Sequence, residues 1–125
     1  MQARQFNACI ADEAHYLKNG VSKRSSTLTP ILANCKRVVL LTGTPMLHRP
    51  AEIYTILKIL RPDIFKSFWE YSARYCDPKP GKFGTDYKGA KCTSELHYLL
   101  TKHVMIRRLK SDVLNELPSK TRQRL

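Results

Sequence analysis

The sequence predicts an α/β fold, and three observations predict it. Two short apolar runs, Phe6 to Ala11 and Val38 to Thr42, end abruptly, the first at Asp12-Glu13 and the second at Gly43-Thr44-Pro45. Between them Leu28, Ile31, Leu32 and Cys35 recur at the i, i+3, i+4, i+7 spacing of one helical face. From Pro50 onward the whole pattern turns helical. Strand, helix and strand with uninterrupted apolar strands describe a βαβ unit in a buried parallel sheet of two or three strands.

The first helix has two possible starts. Either Thr29 caps it with Pro30 at its first position, or a longer helix kinks at Pro30. After Pro50, the residues Ile53, Ile56, Leu57 and Leu60 form one face, stopped before Pro62. A second helix is expected from about Asp63 to Tyr75, with Phe65, Phe68, Trp69 and Ser72 inward. Residues 77–91 hold three of the five glycines and four lysines, which reads as an exposed basic loop. A third helix is expected to start with Ser94 as N-cap and to carry Leu96, Leu99, Leu100 and His103. A short apolar step, Val104-Met105-Ile106, precedes Arg107-Arg108-Leu109-Lys110. A last helical turn or two, Ser111 to Leu117, ends at Pro118.

Charge is the least ordinary property of the chain. Its 22 Lys and Arg against 10 Asp and Glu give a net charge of +12 over 125 residues. Such a surface favours a polyanion, because each neutralised phosphate releases a condensed counterion. Two segments concentrate the charge. One carries Lys79, Lys82, Lys88 and Lys91 among Phe83 and Tyr87. The other, residues 101–125, carries seven Lys or Arg against Asp112 and Glu116. Each suits a sugar-phosphate backbone, with a simply solvated segment as the alternative.

The four cysteines (Cys9, Cys35, Cys76, Cys92) form no C-x-x-C pair, which argues for a reducing intracellular compartment. Cys76 and Cys92 with His97 and His103 do not make a zinc site, since fifteen residues separate the two cysteines. The apolar runs are far too short to span a membrane, and the first residues lack the apolar core of a secretory signal. The expectation is a soluble, intracellular protein.

In open parallel sheets ligands bind at the carboxyl ends of strands, where both the acidic and the glycine-containing turn fall. Adjacent carboxylates there can divide labour. One holds a hydrated Mg²⁺, which needs only one or two protein carboxylates, and the other takes a proton from an attacking water. The alternative is a helix N-terminus, where Asp and Glu are favoured by the exposed N–H groups.

The longer string goes further. Asp12-Glu13-Ala14-His15, a Walker B box of the DEAH type, is followed by Leu17-Lys18-Asn19 and later by Leu41-Thr-Gly-Thr-Pro45. Arg49-Pro-Ala-Glu-Ile-Tyr54 comes next, then Met105-Ile-Arg-Arg-Leu-Lys-Ser-Asp-Val113 with Leu117-Pro118 and Lys120. In this order they resemble motifs II and III and the closing block of the first lobe in superfamily-two helicase-like ATPases of the Swi/Snf type, and the likeness covers essentially the whole chain. Arg74-Tyr-Cys-Asp77 and Asp86-Tyr-Lys-Gly-Ala90 are more similar to the annealing-helicase (HARP-like) branch, which remodels stalled forks; a nucleosome-remodelling relative is the alternative.

The resemblance implies a partial RecA-like (P-loop NTPase) lobe with parallel strands and a helical extension. Residues 1–118 would be the C-terminal half of the first ATP-binding lobe, with motifs II and III in 6–49 and the helical extension in 50–118. Residues 119–125 would begin the linker to a second lobe. It implies ATP and Mg²⁺ as cofactors, double-stranded or forked DNA as partner, and the nucleus as location. Asp12 would hold Mg²⁺ and Glu13 would orient and deprotonate the water. His15 would link the nucleotide site to motif III, and Thr42, Gly43 and Thr44 would transmit the nucleotide state to the DNA-binding face. Gly43 would permit a tight turn, and Pro45 would stop the strand. Arg107, Arg108 and Lys110 would contact DNA or brace the two lobes by ion pairs. His15 as a helix-start histidine, and Thr-Gly-Thr as a plain strand exit, are the milder readings.

A phosphate loop reads G-x-x-x-x-G-K-[S/T], and the one Gly-Lys of this chain, Gly81-Lys82, has Phe83 after it and Cys76 at the first glycine position. Eleven residues precede Asp12. The expectation is a fragment bearing half a nucleotide site, from a parent that translocates on DNA by hydrolysing ATP. The alternative is a non-catalytic basic DNA-binding or interaction module derived from such an ATPase.

Overall fold

The computed structural model describes residues 6–18, 20, 22–43, 49–82 and 84–108. The elements are β1 (Ala8–Ala11), a single 3₁₀ turn (Ala14–Leu17), α1 (Lys23–Ala33), β2 (Arg37–Leu40), α2 (Pro50–Leu60), α3 (Phe68–Tyr75), β3 (Lys79–Gly81), β4 (Gly84–Asp86) and α4 (Thr93–His103). The α/β class is therefore as expected. The last turn expected at Ser111 to Leu117, and the linker at 119–125, lie outside the described residues.

β1 and β2 pair in parallel, Ala8 with Arg37 through Ala11 with Leu40, with α1 as the crossover. A parallel sheet was expected to be buried on both faces, but here the two faces differ. Cys9, Val38 and Leu40 pack against Leu17, Leu32 and Ile59. Ile10 and its partner Val39 point the other way and are 70% and 49% exposed. The reason is that the 3₁₀ turn, α1 and α2 all lie on one side, and no described element covers the other.

α1 runs through Pro30, which settles its start at the longer alternative. Ser22 caps it by accepting a hydrogen bond from Ser25 N. Of the expected quartet Leu32 is buried and Cys35 half-buried, while Leu28 and Ile31 are exposed and Ser25 turns inward instead. Ser25 sets the phase, because its hydroxyl donates to the Leu17 carbonyl at 3.2 Å.

α2 begins with Pro50 at its first position, which costs no helical hydrogen bond there. It ends before Pro62, burying Ile53, Leu57 and Ile59. Ile53 and Leu57 belong to the larger core, with Phe65, Tyr71, Tyr75, Cys76, Leu96 and Leu100.

α3 is shorter than expected. Ser67 accepts from Glu70 N, a Ser-x-x-Glu cap that places the start at Phe68 rather than near Asp63. That phase turns Tyr71, Ser72 and Tyr75 inward and leaves Trp69 75% exposed, so Phe68 and Trp69 are not the inward residues expected. Phe65 is buried all the same, from the preceding turn.

The expected basic loop contains a small antiparallel hairpin, Lys79 pairing with Asp86 and Gly81 with Gly84. Gly84 has a φ of 123°, which only glycine adopts readily, and this lets so short a connection close. α4 is capped by Cys92 in a left-handed conformation rather than by Ser94. It buries Leu96 and Leu100, while His103 is exposed. Arg74 and Glu95 tie α3 to α4 through a two-pronged ion pair. Among the described residues, no helix is long and apolar enough to cross a membrane.

Candidate functional site

Because β1 and β2 are parallel, the acidic turn and the Thr-Gly turn leave the sheet at the same edge. Two backbone hydrogen bonds extend the pairing beyond the strands and clamp these turns together. Leu41 N donates to the Ala11 carbonyl at 2.8 Å, and Ala14 N donates to the Leu41 carbonyl at 2.9 Å. The spacing of apolar runs thus brings Asp12-Glu13 beside Thr42.

Within the acidic turn Asp12 Oδ1 accepts from Glu13 N at 2.8 Å. Glu13 adopts φ 50° and ψ 41°, a left-handed conformation that costs a non-glycine residue roughly 1–2 kcal/mol. No feature of the sequence announced it. Both side chains belong to exposed residues. Glu13 sits at the cap position of the 3₁₀ turn, yet its side chain makes no capping bond. Helix capping therefore does not account for the pair, and a single 3₁₀ turn offers little dipole to act on.

His15 stands between the two turns. Its Nδ1 lies 3.1 Å from Glu13 Oε2 and 3.2 Å from Thr42 Oγ1. With a hydrogen on Nδ1 the ring donates to the carboxylate, and the Thr42 hydroxyl shares the same nitrogen. The ring also stacks on Tyr16 at 4.3 Å between centroids, and Arg24 lies over the other aromatic partner, 4.8 Å from the Tyr16 centroid.

Gly43 differs from expectation. Its φ is not left-handed, and a Cβ built there would meet nothing within 4 Å. Neither turn geometry nor crowding within the described chain requires glycine at this position. Thr44, Pro45 and Lys110 lie outside the described residues.

Arg107 and Arg108 follow α4 as exposed residues and make no ion pair with another described residue. Ile106, which precedes them, is 89% exposed. Cys76 is buried and Cys92 exposed at the opposite ends of the link between α3 and α4, with His97 exposed on α4.

The donor set suits a magnesium ion that keeps most of its waters. Asp12 offers one exposed carboxylate, with one oxygen already oriented by Glu13 N, and one carboxylate is enough. Among the described residues no group of three or more His, Cys, Asp or Glu forms a cage for a metal.

One participant escaped sequence reasoning. Lys18, named only as part of a motif, reaches Glu52 of α2, Nζ to Oε2 at 3.8 Å. The signal was present as Lys18 after the box and Glu52 after Pro50, but only the fold shows that they meet.

Comparison with known proteins agrees with the collinear motifs. The model of the SNF2-related domain matches residues 1–125. The chain is 46% identical over 121 residues to the SWI/SNF-related matrix-associated actin-dependent regulator of chromatin subfamily A-like protein 1 of Xenopus tropicalis, covering 97% of this chain and 13% of that protein. It is 43% identical over 129 residues to the DNA annealing helicase and endonuclease ZRANB3 of Mus musculus, covering 100% of this chain and 12% of that protein. The human protein of the latter name is 43% identical over 126 residues, covering 98% and 12%. The chain thus spans about an eighth of the length of the relatives it matches. It belongs to the SNF2-related domain family of SWI/SNF proteins, on the side of the annealing helicases to which its own residues point.

Proposed function

We propose that the chain is the C-terminal half of the first RecA-like lobe of a DNA-dependent ATPase, one that translocates on double-stranded or forked DNA in fork remodelling and repair. Residues 6–49 carry the acidic and Thr-Gly-Thr motifs, 50–118 the helical extension, and 119–125 the start of the link to a second lobe. The observation that supports this most is the His15 bridge, with Nδ1 3.1 Å from Glu13 and 3.2 Å from Thr42. A plain strand exit needs no imidazole between an acidic turn and a threonine. A motor needs a contact that feels the nucleotide and passes its state on.

In this reading ATP with its Mg²⁺ supplies the phosphoryl group and much of the charge neutralisation. The chain's own residues hold and orient. Asp12 holds the hydrated metal, Glu13 positions the attacking water and accepts its proton, and His15 reports the state of Glu13 to Thr42, Gly43 and Thr44. Arg107, Arg108 and Lys110 face DNA or the second lobe. The nucleus follows as the compartment from the DNA substrate.

The test is a chimera in which this chain replaces the matching stretch of the mouse annealing helicase. DNA-stimulated ATP turnover is expected to persist in the chimera, and Glu13→Gln is expected to abolish it while nucleotide binding remains. A folded, DNA-binding chimera without turnover would show that the segment is not catalytic.

A further inference from the structure

An open recess of about 420 Å³ lies where three segments of the chain meet. Lys18 follows the 3₁₀ turn headed by Glu13, Arg49 and Glu52 frame the start of α2, and Tyr87 and Lys88 follow β4. Ala51 also lines it. The geometry points to this recess as a seat for the sugar-phosphate backbone of a DNA strand, with Lys18, Arg49 and Lys88 as the phosphate contacts. The proposal rests on the DNA reading given above and adds a site to it.

Three features favour a strand over a small anion. First, two of the three cations are already partly neutralised. Lys18 Nζ is 3.8 Å from Glu52 Oε2, and Lys88 Nζ is 3.5 Å from Asp86 Oδ2. Their net pull on one free phosphate is weak, whereas a polyanion gains by releasing counterions at every phosphate it lays down. Second, Arg49 is exposed and has no ion pair with a described residue, so its planar fork is available for a phosphodiester. Third, the lining includes an aromatic ring. Tyr87 is held edge-on against Phe68, with centroids 5.1 Å apart, and offers a fixed ring for a sugar or an unstacked base.

Glu52 sets the sign of a separate expectation. Its buried Oε2 has no hydrogen-bond partner among the described residues, and it holds Lys18 at the recess by charge alone. That carboxylate opposes any phosphate entering.

Binding of the 125-residue chain to a fluorescent duplex, measured as a function of salt, tests the site. The pair Arg49→Gln with Lys88→Gln is compared with Lys58→Gln and Lys66→Gln, which remove the same charge elsewhere on the surface. Loss of two phosphate contacts should lower the log–log salt slope by roughly 2, so that the affinity lost between 50 and 200 mM salt shrinks about tenfold, while the control pair leaves the slope near that of the parent chain. Glu52→Gln should tighten binding. Circular dichroism of each variant confirms that the fold is kept. If the recess pair and the control pair behave alike, the recess is not the site although DNA binding stands. If the parent chain shows no salt-dependent binding, the DNA reading and the recess fall together. Saturable binding of inorganic phosphate that is lost in the recess pair, with DNA affinity unchanged, identifies a small-anion site and overturns the strand.

Discussion

His15 Nδ1 stands 3.2 Å from Thr42 Oγ1 across 27 residues of sequence, and the two residues belong to turns leaving different strands. The contact is half-buried, so its net contribution to stability should be about 0.5–1.5 kcal/mol. Thr42 makes further contacts of its own, so a single substitution overstates this one. A double-mutant cycle with His15→Ala and Thr42→Val isolates it. Urea unfolding of the four proteins is expected to give a coupling of about 0.5–1 kcal/mol. Additivity would mean that the bridge does not form in solution.

Two tyrosines of the aromatic cluster should respond differently to loss of their hydroxyls. Tyr71 is buried and its hydroxyl donates to the Pro50 carbonyl at 2.7 Å. Burial holds its phenol far above the usual range. Tyr71→Phe removes this bond from a carbonyl that also accepts within α2, and should cost about 1 kcal/mol. Tyr54 reaches the Phe65 carbonyl only at 3.5 Å, at the limit of a hydrogen bond. Tyr54→Phe should therefore cost about 0.5 kcal/mol or less. Denaturant midpoints at unchanged slope check the ranking.

The tie between α3 and α4 gives stability a pH dependence of known sign. Arg74 and the Tyr75 hydroxyl hold the Glu95 carboxyl below its ordinary range. A carboxylate whose folded pKa is depressed stabilises the fold above its unfolded pKa, near 4.3, and loses that contribution as pH falls through the folded value. Glu95→Gln should thus lower Tm at pH 7 and converge with the parent chain well below pH 4. Asp63, held to about 2 by Arg61, extends the acid decline of both proteins. A Tm difference that is constant from pH 7 to pH 3 would contradict the ion pair.

Much of this was legible in the sequence, and the failures have a common physical cause. Apolar runs ending at Asp12 and Gly43 gave the two strands, because buried strands and their exits differ sharply in composition. Helix phase was the weak point. Leu28 and Ile31 in α1, and Phe68 and Trp69 in α3, are apolar by type but exposed. Which face turns inward was decided by polar residues, Ser25 bonded to Leu17 and Ser67 capping Glu70, which apolar periodicity does not count. The hairpin at 79–86 hid in a Pro- and Gly-rich stretch whose composition also fits a loop. At the site, Asp12, Glu13, His15 and Thr42 were brought together by the parallel pairing. The left-handed Glu13, the meeting of Lys18 with Glu52, and the lack of any steric need for Gly43 depend on three-dimensional neighbours that spacing alone does not name.

The sharpest functional prediction separates chemistry from its transmission, using Asp12→Asn, Thr42→Val and Thr44→Ala in the chimera alongside Glu13→Gln. Glutamine keeps the size of glutamate but cannot accept the water's proton, so turnover is lost and nucleotide binding remains. Asp12→Asn removes charge opposite the metal, so Mg²⁺-dependent nucleotide affinity should fall as well, with turnover reduced by about 10² or more. Thr42 carries no group able to act as base, and its hydroxyl lies 3.2 Å from His15 Nδ1. Thr42→Val should leave ATP turnover within about threefold of the parent chimera, while the annealing or fork-regression rate drops by about tenfold, each 1.4 kcal/mol of lost coupling being one factor of ten. Thr44→Ala, on the far side of Gly43, should follow the same pattern. Both activities are measured on the same preparations, so the ratio of strand movement to ATP consumed is the readout. If Thr42→Val and Thr44→Ala reduce turnover and strand movement in the same proportion as Glu13→Gln, the threonines serve the chemistry directly and the bridge through His15 does not transmit it.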